Sequence, residues 1–300
     1  MSKYLIFGLS LAVLVVSVGV VMAAKPDLTP KLATVNPSGG QAKVVIPSHA
    51  IEITPSVFSL GTAIDNGRVV QGYAFVHYKD KEKFGKPSGC NNDGKCQGWE
   101  DVSCTDCSGG GSEPEANFCY GFLSKGAKWK VVEPYLVDSA NTRGLDDAFV
   151  RENMAFNIAK WENVAGKNIL GDEITGIVDG ADLESPDNKN EIYFGDIASP
   201  GAIGVTIIWG IFNGPPHWRE LVEWDQIYDQ VDYDWSATGE ADKMDFENIA
   251  THELGHSAGL DDLYEDRCSE QTMYGYADYG EINKRTLEAG DIAGVQDLYK

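Results

Sequence analysis

The stretch Thr251-His252-Glu253-Leu254-Gly255-His256-Ser257-Ala258-Gly259-Leu260-Asp261-Asp262 constrains this chain more than any other. His252 and His256 stand four positions apart, so on a helix both leave the same face and can share one ion. The pattern predicts a helix from about Asp245, a good N-cap, to Ala258, with Gly259 stopping it. Glycine there permits the sharp reversal that returns a later residue toward the histidines. Three positions on stands Asp262, with Asp261 as its adjacent competitor. Two neutral imidazoles and a carboxylate, with a fourth position open to water, suit zinc. Glu253 lies beside His252, near enough to take a proton from activated water without joining the ligands.

The extended stretch resembles the zinc motif of the metzincin metallopeptidases. Downstream, Thr272-Met273-Tyr274-Gly275-Tyr276 resembles their Met-turn, with Met273 as a hydrophobic floor beneath the metal. The runs 223–228 and 245–250 are similar to the matrixin strand and helix start, and 285–299 to the matrixin C-terminal helix. The likeness covers roughly residues 126–300. It implies an α+β fold: a twisted, mostly parallel sheet with an antiparallel edge strand, an active-site helix and a C-terminal helix. It further implies a zinc protease with protein or peptide substrates, zinc on His252, His256 and Asp262, and Glu253 as general base and acid.

The likeness has departures. Matrixins usually place a third histidine where this chain has Asp262, which resembles the snapalysin-type proteases. Eleven positions separate Asp262 from Met273, a longer loop than the family suggests. Some metzincins carry a ligand tyrosine two positions after the methionine; here that residue is Gly275. Tyr274 and Tyr276 are candidates to donate to a transition-state oxyanion, and packing beneath the turn is the competing reading of each. The resemblance also implies that the strand near 202–209 forms the upper rim of the cleft, where a peptide adds as an extra strand. An ordinary buried strand fits the same composition. His49, His77 and His217 have no ligand partner at close spacing and read as surface or loop residues.

Upstream, residues 1–24 read as a signal peptide or a retained N-terminal anchor: Lys3 precedes a long apolar run. Either reading allows the rest to lie outside the cell, secreted or anchored at the outer face of the membrane, with a membrane partner only if the segment is retained. Residues 25–50 read as a Pro- and Gly-containing linker, and 51–125 as a β-rich N-terminal region, a candidate propeptide. Within it, apolar alternation predicts two strands around Asp65-Asn66-Gly67. Residues 84–116 form a cysteine-containing insert with Cys90, Cys96, Cys104 and Cys107. In an exported chain these read as two local disulfides, with a zinc site on four thiolates as the alternative. Cys119 and Cys268 are then left to pair with each other. A latency role for Cys119 at the metal, similar to some matrixins, is the other reading.

Lys and Arg total 24 against 46 Asp and Glu, a net charge of −22. That excludes a reader of nucleic-acid phosphate, which needs a basic face. Clusters at 179–187 and 225–234 suggest calcium by the matrixin resemblance, against the plainer reading of a solvated acidic surface. A second reading of the whole is an extracellular binding protein that uses the cysteine-rich insert and carries a structural or vestigial zinc site.

Overall fold

The computed structural model describes residues 43–54, 56–79 and 119–300. The N-terminal segment 1–24, most of the linker and the cysteines at 90, 96, 104 and 107 lie outside them. The frame is an eight-stranded mixed sheet in the order β1-β6-β8-β7-β4-β3-β2, with β5 also pairing β6. Its strands are β1 (Lys43–Val44), β2 (Ile51–Thr54), β3 (Val57–Asp65), β4 (Arg68–Tyr78), β5 (Tyr135–Val137), β6 (Asn190–Ile197), β7 (Ala202–Ile211) and β8 (Glu220–Asp229). The pairs β1–β6, β5–β6 and β6–β8 are parallel; from β8 through β7, β4 and β3 to β2 every pair is antiparallel. Two short strands, β9 (Trp235–Ser236) and β10 (Met244–Asp245), lead into the helix that carries the histidines.

The expected β3–β4 hairpin forms because Asn66 (φ 46°) and Gly67 (φ 79°) both accept the left-handed backbone of a tight two-residue turn. The mostly apolar run from Trp129 to Val137 forms a strand only over Tyr135–Val137. Pro134 offers no N–H and restricts Glu133, and Val131 and Val132 point into solvent. Trp129 instead plugs the core, donating from Nε1 to the Ser257 carbonyl at 2.7 Å.

Among the described residues, three α-helices cover one face of the sheet. In α1 (Asp147–Ala165) Asp146 caps the first turn and Gly166 (φ 70°) ends the last. Its buried stripe of Val150, Met154, Ile158 and Trp161 follows the helical period. In α2 (Phe246–Ser257) the Asp245 side chain accepts the Asn248 N–H, and Arg285 forks onto the same carboxylate. In α3 (Ala289–Tyr299) Glu288 and Asp291 form a capping box. Nearly all of α2 is buried, so each of its polar side chains needs a partner inside the protein. One apolar core fills the space between sheet and helices, and a second covers the sheet's opposite face under the segment around Val178–Leu183.

The class is α+β as the sequence implies, but the sheet is mixed rather than mostly parallel. Among the described residues it has four antiparallel pairings against three parallel, because the N-terminal hairpin adds to it, and one strand changes place. The antiparallel strand β7, expected at the rim of the sheet, is flanked on both sides. Beyond it lie β4, β3 and β2 from the N-terminal region.

Candidate metal centre

Helix α2 presents His252 and His256 from one face, and the backbone fixes both rings. The Nδ1 atom of His252 lies 2.7 Å from the Thr272 carbonyl, and that of His256 3.0 Å from the Leu260 carbonyl. A carbonyl only accepts, so each Nδ1 carries the proton and each Nε2 presents a lone pair. Gly259, at φ +104°, then reverses the chain; a Cβ there would sit 3.0 Å from the Ala127 carbonyl. The turn returns Asp262, whose Oδ1 stands 3.3 Å from His252 Nε2 and 3.5 Å from His256 Nε2.

These three ligand atoms lie within 4.8 Å of one another. His252 Nε2 and Asp262 Oδ1 are buried and have no hydrogen-bond partner. Two buried lone-pair atoms aimed at a common point are costly alone and suit a shared cation. The spacing agrees: ligands about 2.0 Å from a tetrahedral zinc stand about 3.3 Å apart. Burial and the neighbouring His77 bring His252 down to about 4. Burial opposes charge on His256 too, but the Asp262 carboxylate outweighs it and raises His256 to about 9. A cation at this point competes with that proton for Nε2. Asp261 does not join the group; its Oδ1 accepts the Asp262 N–H at 3.0 Å. Burial, then the charge on Asp262, lifts it to about 7.

Glu253 lies beside this group with both carboxylate oxygens engaged. Thr206 Oγ1 donates to Oε2 at 2.5 Å, and His77 Nδ1 approaches Oε1 at 3.1 Å. Burial holds its pKa above the ordinary carboxylate value, against the pull of both histidines. Met273 lies under the helix: a Cβ on Gly255 would fall 2.1 Å from its Sδ, so the helix must carry glycine there. Asp291 holds the Met273 turn by accepting the Thr272 N–H at 2.8 Å and the Met273 N–H at 3.1 Å.

Sequence reasoning missed three residues here. His77, expected at the surface, is fully buried, with its ring centroid 4.0 Å from that of His252. It arrives by sheet pairing from far upstream, which local spacing does not reveal. Tyr264 donates to Asp262 Oδ2 at 2.9 Å, and Ser56 Oγ donates to the same oxygen at 3.2 Å. The signal for Tyr264 was Gly275: a Cβ there would lie 2.5 Å from the Tyr264 ring, so the absent side chain makes room for the phenol. Tyr274 and Tyr276 pack with Tyr264 in one aromatic cluster. Cys119 and Cys268 form a disulfide, so Cys119 is not a thiolate at the metal.

On the opposite face of the sheet, Asp182, Glu223 and Asp225 bring carboxylate oxygens within 4.8 Å of one another. Glu191 pairs in register with Asp225 across β6 and β8. Glu223 is fully buried and its Oε1 has no hydrogen-bond partner. Lys189 bonds Asp179 and Asp187, both at 2.5 Å.

Residues 216–300 match the family model described as matrixin. The matched span runs from the turn before β8 through α2, Gly259 and the Met273 turn to α3, so this part of the chain is similar to matrixins. Among solved structures, metalloproteinase-II from Bacteroides fragilis aligns over 83% of this chain and 78% of its own. The identity is 14% and the TM-score 0.31, too distant a likeness to bear on the site. Comparison with curated proteins gives no match.

Proposed function

We propose that this chain is an exported zinc-dependent endopeptidase, with zinc held by His252, His256 and Asp262 and proton transfer carried by Glu253. The observation behind this reading is the convergence of three ligand atoms, two of them buried and unpartnered, beside a buried carboxylate. Bound zinc supplies a Lewis acid that polarises a peptide carbonyl and acidifies water. The protein does the rest. The Thr272 and Leu260 carbonyls fix the imidazole tautomers, and Tyr264 holds Asp262 by its second oxygen. Glu253 takes a proton from water and delivers it to the leaving amine. Its raised pKa suits a group that must hold that proton between the two transfers. Thr206 keeps the carboxylate oriented.

Export is consistent with the Cys119–Cys268 disulfide; among the described residues no helix is long and apolar enough to cross a membrane. Calcium is the second cation of this reading, on Asp182, Glu223 and Asp225. These are hard oxygen donors, and Glu223 Oε1 has no other partner. The test of the peptidase is Glu253→Ala. It should keep zinc and fold while losing cleavage of a quenched fluorescent peptide by roughly 10²–10⁴-fold. Unchanged cleavage would reject the assignment of Glu253.

A further inference from the structure

Lys284 is only 2% exposed, although a lysine is seldom buried unless its charge is paired. It sits in the one-turn helix Asn283–Arg285 that precedes α3. Its Nζ donates to the Tyr276 carbonyl at 2.7 Å and to Glu281 Oε1, and lies 5.9 Å from the centre of the Tyr274 ring. Burial holds its pKa below the ordinary amine value, against the pull of Glu281.

Facing it is Asn248, 1% exposed, in the first turn of α2. Asn248 Oδ1 accepts the Lys284 backbone N–H at 2.7 Å, and Nδ2 donates to Glu281 Oε1 at 3.3 Å. A backbone N–H only donates and a carboxylate accepts, so these partners fix which end of the amide is oxygen. One carboxylate oxygen therefore touches both the lysine nitrogen and the amide nitrogen. A neighbouring clamp holds the arrangement: Arg285 forks onto Asp245, and the same Asp245 carboxylate accepts the Asn248 N–H at 3.0 Å.

An ion pair needs only the lysine and the carboxylate. Here a carboxamide shares that carboxylate, its carbonyl already polarised by an N–H, and both Lys284 and Asn248 lie out of solvent. These are the parts of an acyl transfer: a nucleophile, a proton carrier touching nucleophile and leaving group, and a donor where the oxyanion develops.

We propose that Lys284 and Asn248 join in an intramolecular isopeptide bond, Nζ to Cγ, with Glu281 carrying the protons and ammonia leaving. The ammonium first gives a proton to Glu281 Oε1. The freed lone pair forms the Nζ–Cγ bond, and Oε1 passes its proton to Nδ2. The Cγ–Nδ2 bond then breaks, ammonia departs with three hydrogens, and Nζ hands its surplus proton to Oε1. Nothing is oxidised or reduced. A buried ammonium–carboxylate pair becomes a neutral amide and a carboxylic acid, which removes the cost of keeping two charges from water. The bond joins positions 36 apart and brackets the chain that carries His252, His256, Asp262 and Met273. None of this depends on the peptidase reading.

The test is the intact mass and tryptic map of the full chain after reduction and denaturation. The mass should fall about 17 Da, one ammonia, below that of the reduced sequence. Trypsin should cut after Lys243, Arg267 and Arg285 but not after Lys284, and residues 244–267 should run joined to 268–285 although no disulfide remains. Glu281→Gln keeps an acceptor but cannot carry the proton; it should yield the two peptides separately, the bond forming ~100-fold more slowly. The wild-type map decides the matter even if that variant fails to fold. Unmodified, separate peptides with cleavage after Lys284 overturn the proposal. So does a loss of about 17 Da confined to 244–267, which marks a succinimide at Asn248 instead. Equal cross-linking in Glu281→Gln overturns the role given to Glu281.

Discussion

Asp291 offers the sharpest quantitative test of how the candidate metal centre is held. Its side chain is fully buried and accepts three backbone N–H groups. Oδ2 takes those of Thr272 and Glu288, both at 2.8 Å, and Oδ1 takes that of Met273 at 3.1 Å. The first of these residues turns its carbonyl to His252 Nδ1, so the carboxylate is one peptide unit away from a proposed zinc ligand. Asp291→Ala strands three buried donors. At ~1–3 kcal/mol for each, less what water entry recovers, the expected loss is ~3–5 kcal/mol. Asp291→Asn separates geometry from charge. Its amide oxygen can take the Oδ2 position and keep two bonds, but its NH₂ then faces the Met273 N–H. That should cost ~1–3 kcal/mol, clearly less than alanine. Urea unfolding at saturating zinc, followed by tryptophan fluorescence, measures both. A competition titration with a chromophoric chelator should show zinc affinity reduced ~10–100-fold for alanine, through loss of the Thr272 anchor. Equal costs for the two variants, or a loss below ~1 kcal/mol for alanine, would refute the reasoning.

Gly259→Ala forces a side chain into φ +104° and against the Ala127 carbonyl and Leu298; a loss of ~1–3 kcal/mol in urea melts is expected. Replacing Cys119 and Cys268 by serine opens a loop of sequence separation 149 and should cost ~2–5 kcal/mol, read as a lower urea midpoint. The acidic cluster predicts an inverted pH profile. Burial lifts Glu191 to about 8, with Asp179 adding, and lifts Asp182 to about 7, with Asp187 adding. Folded pKa values above the unfolded ones mean that the native state binds more protons. Stability is therefore full below about pH 4 from these groups and falls as pH rises through 7–8. Millimolar calcium should flatten that fall; melts at pH 5 and 8 in chelator and in calcium decide it, and an unchanged profile removes calcium from this site.

The parts legible in the sequence were those set by local geometry. Helix α2 was bounded by its Asp245 cap and Gly259 stop because both act within one turn. The approach of Asp262 to the histidines followed from a reversal that only glycine makes easily. His77 was not legible: its place depends on pairing with Gly204, well over a hundred positions away. For the same reason β7 was taken as a rim strand, when the chain's own N-terminal region covers it. Asp182 and Asp225 lay in separate acidic clusters of the sequence, and only the side-by-side alignment of β6 and β8 brings their loop and strand together.

Strand β8 carries a further consequence. From Glu223 to Tyr228 its side chains alternate between two unrelated settings. Trp224 and Tyr228 enter the helix-side core and Gln226 donates to Ser257 on α2, while Glu223 and Asp225 face the acidic cluster. The pleat is thus a partition between an apolar compartment and an anionic one. A single-residue deletion in this strand would exchange the two sets, driving two carboxylates under α2 and two large aromatics among the acids. This strand should therefore tolerate substitutions one at a time yet reject any change of length, which makes its residue count a more stringent inheritance than its residue identities.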